Sequence, residues 1–152
     1  MQNSEHQKEL IGRKDYADFP ALDLTGIKTK IDTGAYTSSI NCHWVKETVI
    51  DGREVLVCKF LDPQHPKYTG KEYLFAAYKK KSIKSSNGIS EDRFLIQTEI
   101  KLFNKVYIID LSLTDRNLMK YDVLIGRKFL NKRFLVDTSV SNLSHKLSRK
   151  RN

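Results

Sequence analysis

Few residues in this sequence are arranged for chemistry, and the first group is Asp32-Thr33-Gly34-Ala35. It closes an alternating run, Ile27-Lys28-Thr29-Lys30-Ile31, with period two. A carboxylate at the end of a strand is held more firmly than one on a loop. A glycine close behind it lets another backbone approach. That combination suits a carboxylate working as acid or base on an extended peptide. Asp-Thr-Gly also occurs as an ordinary turn, so the reading depends on the rest of the chain. A second stretch, Val123-Leu124-Ile125-Gly126-Arg127, is a buried-strand pattern that ends on glycine. Asp137-Thr138-Ser139 is a near-repeat of the first group, but it lacks the glycine and no apolar-apolar-Gly follows it. We read it as the end of a strand.

Other chemistries find less. The histidines are His6, His43, His65 and His145, and no His-Glu-x-x-His is present. Cys42, His43, Cys58 and His65 would make a four-ligand zinc set only if folding gathered them, and their spacing fits no zinc module. No metal or other cofactor is therefore assigned. There is no Gly-x-x-x-x-Gly-Lys-Ser/Thr phosphate loop. Cys42 and His43 are not a catalytic pair in themselves, because adjacent strand residues point to opposite faces. Ser38-Ser39 are read as satisfying buried backbone near Asp32.

The elements that must position these residues are short strands. In the run before Asp32, Ile27, Thr29 and Ile31 share one face and Lys28 and Lys30 the other, as in a half-buried strand. Tyr36 to Ile40 reads as the returning strand. Asp51-Gly52 lies between Trp44–Ile50 and Arg53–Phe60, a strong hairpin signal. Leu61 to Lys71, with Pro63, Pro66 and Gly70, is a loop, and Glu72 to Tyr78 a further strand. Asn87-Gly88 is a second hairpin signal. The clearest alternation sets Phe94, Ile96, Thr98, Ile100 and Leu102 against Arg93, Leu95, Gln97, Glu99 and Lys101. Val106–Leu113 and Phe134–Val136 follow as strands, with one short helix expected over 127–131. Tyr16 to Leu24, broken by Pro20, reads as an extended segment or loop. The sum is an all-β barrel or sandwich. Residues 1–9 are expected to be disordered, 10–139 to form the domain, and 140–152 to be a basic tail.

With 152 residues the chain fits one domain with a real core. Two cysteines make no disulfide framework, and free thiols in a reducing compartment are the simpler reading. The polar start has no apolar signal region, and no run is long enough to span a membrane. A cytoplasmic protein with no membrane partner is expected. The formal net charge is +9, with clusters at Lys79-Lys80-Lys81 and Lys84 and near the C-terminus. Such a surface attracts anionic partners or serves solubility. Neither cluster is interleaved with aromatics, so nucleic acid is not the expected partner.

Lys30-Ile31-Asp32-Thr33-Gly34-Ala35, paired with Leu124-Ile125-Gly126-Arg127-Lys128-Phe129-Leu130, resembles half the active site of a retroviral-type aspartic protease. Adding Thr37-Ser38-Ser39, Ser85-Ser86-Asn87-Gly88 with Glu91-Asp92-Arg93, Leu113-Thr114-Asp115-Arg116, Met119 and Val136-Asp137 extends the match from about Ile11 to Ser139. In that order the elements resemble the bacterial RimB family of retropepsin-like proteins. That family is also labelled ATP-dependent zinc protease, and its members can accompany the glutamate ligase RimK. The resemblance implies a closed acid-protease β-fold and a peptidase site. Two carboxylates held close share a proton, so one can activate water while the other donates to the scissile carbonyl.

With one Asp-Thr-Gly per chain, the resemblance implies a homodimer in which Asp32 meets Asp32 across a two-fold axis. Thr33 would cross-brace the two loops, Gly34 would offer its carbonyl to the substrate backbone, and Ala35 would complete the loop. Gly126 would let its strand pass under the loop, and Arg127 would pin the short helix. Tyr36 stands where many family members carry a basic residue and retroviral proteases an acid, so Arg127 has no acid to pair with there. The Asn87-Gly88 hairpin is the candidate substrate-covering flap, without a glycine-rich tip. Arg93 is either a contact for a substrate carboxylate or an ordinary surface arginine. The expected substrate is a polypeptide, and the charge together with the RimK association points to an acidic, glutamate-extended one. A non-catalytic peptide-binding module of the same fold and a metal-dependent hydrolase are the competing expectations.

Overall fold

The computed structural model describes residues 7–84, 88–115 and 120–150. His6, Asn87 of the second hairpin turn, Arg116 and Met119 lie outside them, as do Ser85-Ser86 and residues 1–6 of the expected disordered segment. The strands are β1 (Glu9–Ile11), β2 (Lys14–Phe19), β3 (Leu24–Ile31), β4 (Ser38–Ile50), β5 (Arg53–Phe60) and β6 (Tyr73–Phe75). They continue as β7 (Lys79–Lys84), β8 (Ser90–Leu102), β9 (Lys105–Thr114), β10 (Val123–Ile125) and β11 (Phe134–Val136). Two helices complete the described elements, α1 (Arg127–Leu130) and α2 (Leu143–Lys150).

Six strands close on themselves in the order β10-β3-β2-β8-β9-β4, with β4 returning to β10. Closure removes the unpaired edges that an open sheet would leave. The fold is the all-β, retropepsin-like barrel expected from the sequence. Alternation explains the core. Ile27, Thr29 and Ile31 of β3 are buried while Lys28 and Lys30 are exposed. On β8, Ile96, Thr98, Ile100 and Leu102 are buried and Gln97, Glu99 and Lys101 exposed. β5 and β6 extend from β4, and β7 pairs with β8 to form a projecting hairpin. Tyr78 Oη and Lys80 Nζ both bond the Glu47 carboxylate, at 2.7 and 3.0 Å, which ties the start of this hairpin to β4.

Turn chemistry sets the β4–β5 register. Asp51 and Gly52 have φ of 51° and 77°, and Ile50 pairs with Arg53 directly across them. Two segments differ from the sequence reading. Lys14–Phe19 is a regular strand, and Pro20 falls after it, opening a single 3-10 turn over Pro20–Leu22. The C-terminal stretch is no simple tail. α2 docks on β2, with Leu143 and Leu147 against the core. The buried Asp15 carboxylate accepts the Ser144 N–H at 2.8 Å and the His145 N–H at 3.1 Å, satisfying two amides at the helix start. The signal for α2 was weak because its apolar face is only two leucines, Leu143 and Leu147.

Candidate active site

The site is built where β10 slots between β3 and β4. Val123, Leu124 and Ile125 pair in parallel with Thr29, Lys30 and Ile31 on one side. On the other side Val123 and Leu124 pair antiparallel with Ile40 and Ser39. Residues 32–37, which join β3 to β4, therefore loop over the end of β10. The Asp32 N–H donates to Ile125 O at 2.8 Å, so the carboxylate leaves β3 at the point where the apolar strand stops.

The loop is tightly tied. Gly34 N–H donates to Asp32 Oδ1 at 3.1 Å, and Ala35 N–H to Asp32 O at 3.2 Å. Thr33 and Gly34 are exposed, and Asp32 is half-buried. From below, Gly126 N–H donates to Ser38 Oγ at 3.0 Å, Arg127 N–H to Ala35 O at 2.8 Å and Lys128 N–H to Tyr36 O at 2.9 Å. The Arg127 side chain reaches back and donates from Nη1 to Thr33 O at 2.9 Å. Its guanidinium carbon lies 5.8 Å from the centre of the Tyr36 ring. Arg127 thus pins the Asp32 loop, where the sequence reading had it pinning the helix.

Gly126 is extended, with φ of −98°, so its backbone would suit any residue. Space decides the matter. A Cβ built there would lie 2.6 Å from Tyr36 O and 2.8 Å from Ala35 O. Only the absence of a side chain lets the end of β10 pass under the loop. The structure thus brings Asp32, Thr33, Gly34, Ala35, Gly126 and Arg127 into one unit. Ser38 serves buried backbone, as expected for the serines beside Asp32.

Other nominated residues lie elsewhere. Arg93 is on β8, opposite Lys81 in the hairpin with β7, with its Nε buried and without a hydrogen-bond partner. The Cys/His set separates into pairs. Cys58 and Cys42 hydrogen-bond each other, which pushes the Cys58 thiol up and the Cys42 thiol down. His43 Nε2 meets Tyr68 Oη at 3.2 Å, and His65 Nε2 meets Asp122 Oδ2 at 3.0 Å. Among the described residues no group of three or more His, Cys, Asp or Glu converges. Asp137 Oδ1 accepts from Ser139 N and Oγ at 2.9 and 2.6 Å, a local turn that ends β11.

Two supporting pairs carried no sequence signal. Lys128 reaches Asp110 at 2.6 Å, and Gln97 Nε2 donates to the same carboxylate. Lys128 holds the Asp110 carboxyl below its usual range. His65 and Asp122 anchor the residue just before β10, and burial pushes the Asp122 carboxyl up. Asp122 also takes part through its backbone, accepting from Asn41 N and donating to Lys28 O. Both pairs join residues that no local pattern connects, and in the sequence His65 stands out only as a zinc-ligand candidate.

A family model described as "Retropepsin-like aspartic endopeptidase RimB" matches residues 10–146. The chain belongs to the RimB-like family. The match runs past Ser139 and takes in the start of α2. Among the relatives found, a "Probable alpha-L-glutamate ligase" of Desulfotalea psychrophila is 33% identical over 133 residues, covering 88% of this chain and 29% of that protein. A protein of the same description from Shewanella pealeana is 33% identical over 138 residues, with the same shares of 88% and 29%. The chain therefore spans less than a third of the length of these curated relatives. Among solved structures, the Legionella pneumophila protein Lpg0085, described as of unknown function, superposes with a TM-score of 0.65 at 26% identity. The superposition covers 91% of this chain and 99% of that one. Among the described residues no helix is long and apolar enough to cross a membrane.

Proposed function

We propose that this RimB-like chain is half of an aspartic endopeptidase, completed when two copies bring Asp32 against Asp32. The observation that carries the reading is the Asp32 loop itself. A strand-borne carboxylate stands at an exposed Thr33-Gly34 turn, fixed from below by β10 and Gly126. One such loop per chain supplies one carboxylate, and a second copy supplies the other. The pair titrates as a unit and holds one proton between its members. The ionised member takes a proton from water as the water oxygen attacks the peptide carbonyl. The protonated member donates to the carbonyl oxygen. Collapse of the tetrahedral adduct breaks the C–N bond, and the amine leaves with a proton returned from the pair. The Gly34 carbonyl, two residues on from Asp32, would accept from an extended substrate backbone.

An acidic polypeptide is the proposed substrate. A net charge of +9 favours an anionic partner. The relatives described as glutamate ligases carry a segment similar to this chain as 29% of their length, which supports glutamate-rich chains as the material handled.

The test is turnover of acidic peptides by the purified protein, by Asp32→Asn, and by wild type with chelator. Loss confined to Asp32→Asn is the expected result. Loss confined to chelator would replace the aspartic mechanism with a metal one. Peptide binding without cleavage by any form would make the protein a binding module. Sedimentation at micromolar concentration, with and without peptide, checks the dimer. A monomer under both conditions would defeat the shared dyad.

A further inference from the structure

We propose that Arg127, laid against the Tyr36 ring, is the contact that selects an acidic side chain in the substrate. The inference rests on the peptidase reading above and concerns what that site prefers. Three contacts place the guanidinium beside the Asp32 loop: the main-chain bond to Ala35 O, the Nη1 bond to Thr33 O, and the ring of Tyr36. Arg127 is exposed, and Tyr36 is 55% exposed. Thr33 adjoins Asp32 in the chain, so a peptide with its scissile bond at Asp32 passes within side-chain reach of this arginine.

The charge of Arg127 is not consumed locally. Among the described residues Lys128 is paired with Asp110, Lys80 with Glu47, Lys71 with Asp23 and Lys105 with Glu9. Arg127 has no carboxylate at ion-pair distance among those residues, and the Tyr36 ring lies beside its guanidinium. A guanidinium that stacks on an aromatic face keeps its edge N–H groups for other acceptors. Two parallel N–H donors match the two oxygens of a carboxylate, which an amide of the same shape cannot reproduce. An acid at position 36 would close this site by taking those donors itself. Tyrosine leaves them open.

The experiment compares a cleaved acidic peptide with versions in which each Glu is changed to Gln, one position at a time. Wild type is expected to lose about tenfold in kcat/KM at one position, the size of one charge-assisted contact. Tyr36→Asp places an acid against Arg127 and is expected to erase that drop while still cleaving the Gln peptide. Tyr36→Asn, which cannot neutralise the guanidinium, is expected to keep the preference. Cleavage without a Glu preference at any position would overturn the inference and leave the peptidase reading standing. A preference unchanged in Tyr36→Asp would also overturn it, and weakened self-association in that variant with the preference intact would assign Arg127 to the dimer contact instead. Should no peptide be cleaved, the peptidase reading fails. Anisotropy titrations of the same Glu and Gln peptides then decide the selectivity alone, and equal affinities would refute it.

Discussion

Replacing Gly126 by alanine tests the central construction, that the Asp32 loop rests on the end of β10. The backbone angles there suit any residue, so conformational strain contributes nothing and the whole effect is steric. The added Cβ would sit 2.6 Å from Tyr36 O, and ordinary contact begins near 3.4 Å, so the carbonyl must retreat by about 0.8 Å. The retreating groups are the acceptors for Arg127 N and Lys128 N, now at 2.8 and 2.9 Å. A shift of that size takes both past the ~3.2 Å limit of a good N–H to O bond. Two such bonds are together worth ~1–3 kcal/mol. Overpacking of a tight site is of the same order. Because the overpacking is what breaks the bonds, the two are not independent, and the expected loss is ~3 kcal/mol rather than their sum. For a chain of this length that lowers the Tm by about 6–12 °C. The displacement falls on the residues that hold Asp32, so kcat/KM should drop about a hundredfold. Gly52→Ala is the control. It adds ~1–2 kcal/mol of left-handed strain in a turn where a Cβ meets nothing, and turnover should be unchanged. Thermal unfolding followed by circular dichroism, with turnover at a temperature where each variant is folded, reads both numbers. A Gly126→Ala protein within 2 °C of wild type by that scale and fully active would refute the reasoning.

Other consequences follow from the same contacts. Asp15→Asn leaves one acceptor oxygen where two served Ser144 and His145, so a loss of ~1–2 kcal/mol and faster amide exchange across α2 are expected. Burial raises the folded Asp15 carboxyl above its ordinary 3.8, so its contribution is full below that value and lost as pH rises through the folded one. Urea midpoints measured from acid to neutral pH should therefore show less of this fall in Asp15→Asn than in wild type. His65→Ala strips the partner from the buried Asp122 carboxylate and should cost about 1–3 kcal/mol, measured by urea unfolding at neutral pH. Asp32→Asn should abolish turnover while leaving the Tm within about 2 °C, since the loop's main-chain bonds to β10 remain.

The barrel was legible because its signals are local. The alternation of β3 and β8 and the Asp51-Gly52 turn depend on residues two to four apart. The pairing of Asp32-Thr33-Gly34 with Leu124-Ile125-Gly126 was legible only through resemblance, since no local pattern says that β10 inserts between β3 and β4. What escaped detection shares one property, which is that the partner is remote. Asp15 and Ser144 stand 129 residues apart, His65 and Asp122 57. Pro20 misled for the opposite reason. In the sequence it reads as a break within a segment, and in the fold it marks the clean end of β2. The Cys42, His43, Cys58 and His65 set was a matter of residue type alone: folding pairs the two cysteines with each other and gives the two histidines partners outside the set. Cys42 pairs with Phe60 across β4 and β5, and Cys58, two residues from Phe60, shares that face.

The geometry also leaves the Asp32 carboxylate with little local work. The bonds that reach the Asp32 loop from β10 and α1 come from beneath and are spent on its main-chain carbonyls and amides. Asp32 Oδ1 receives one N–H, from Gly34, and no basic side chain among the described residues pairs with it. A structural aspartate at a strand end would be expected to cap a turn fully or join an ion pair, as Asp137 and Asp110 do here. Asp32 does neither in full, while the loop around it is fixed more tightly than a surface turn needs. An immobile frame around a carboxylate with acceptor capacity left over is the condition for sharing a proton with a second carboxylate. The same frame holds Arg127, which donates from Nη1 to Thr33 O; under the function proposed above, that places selection for acid next to the residue that uses it.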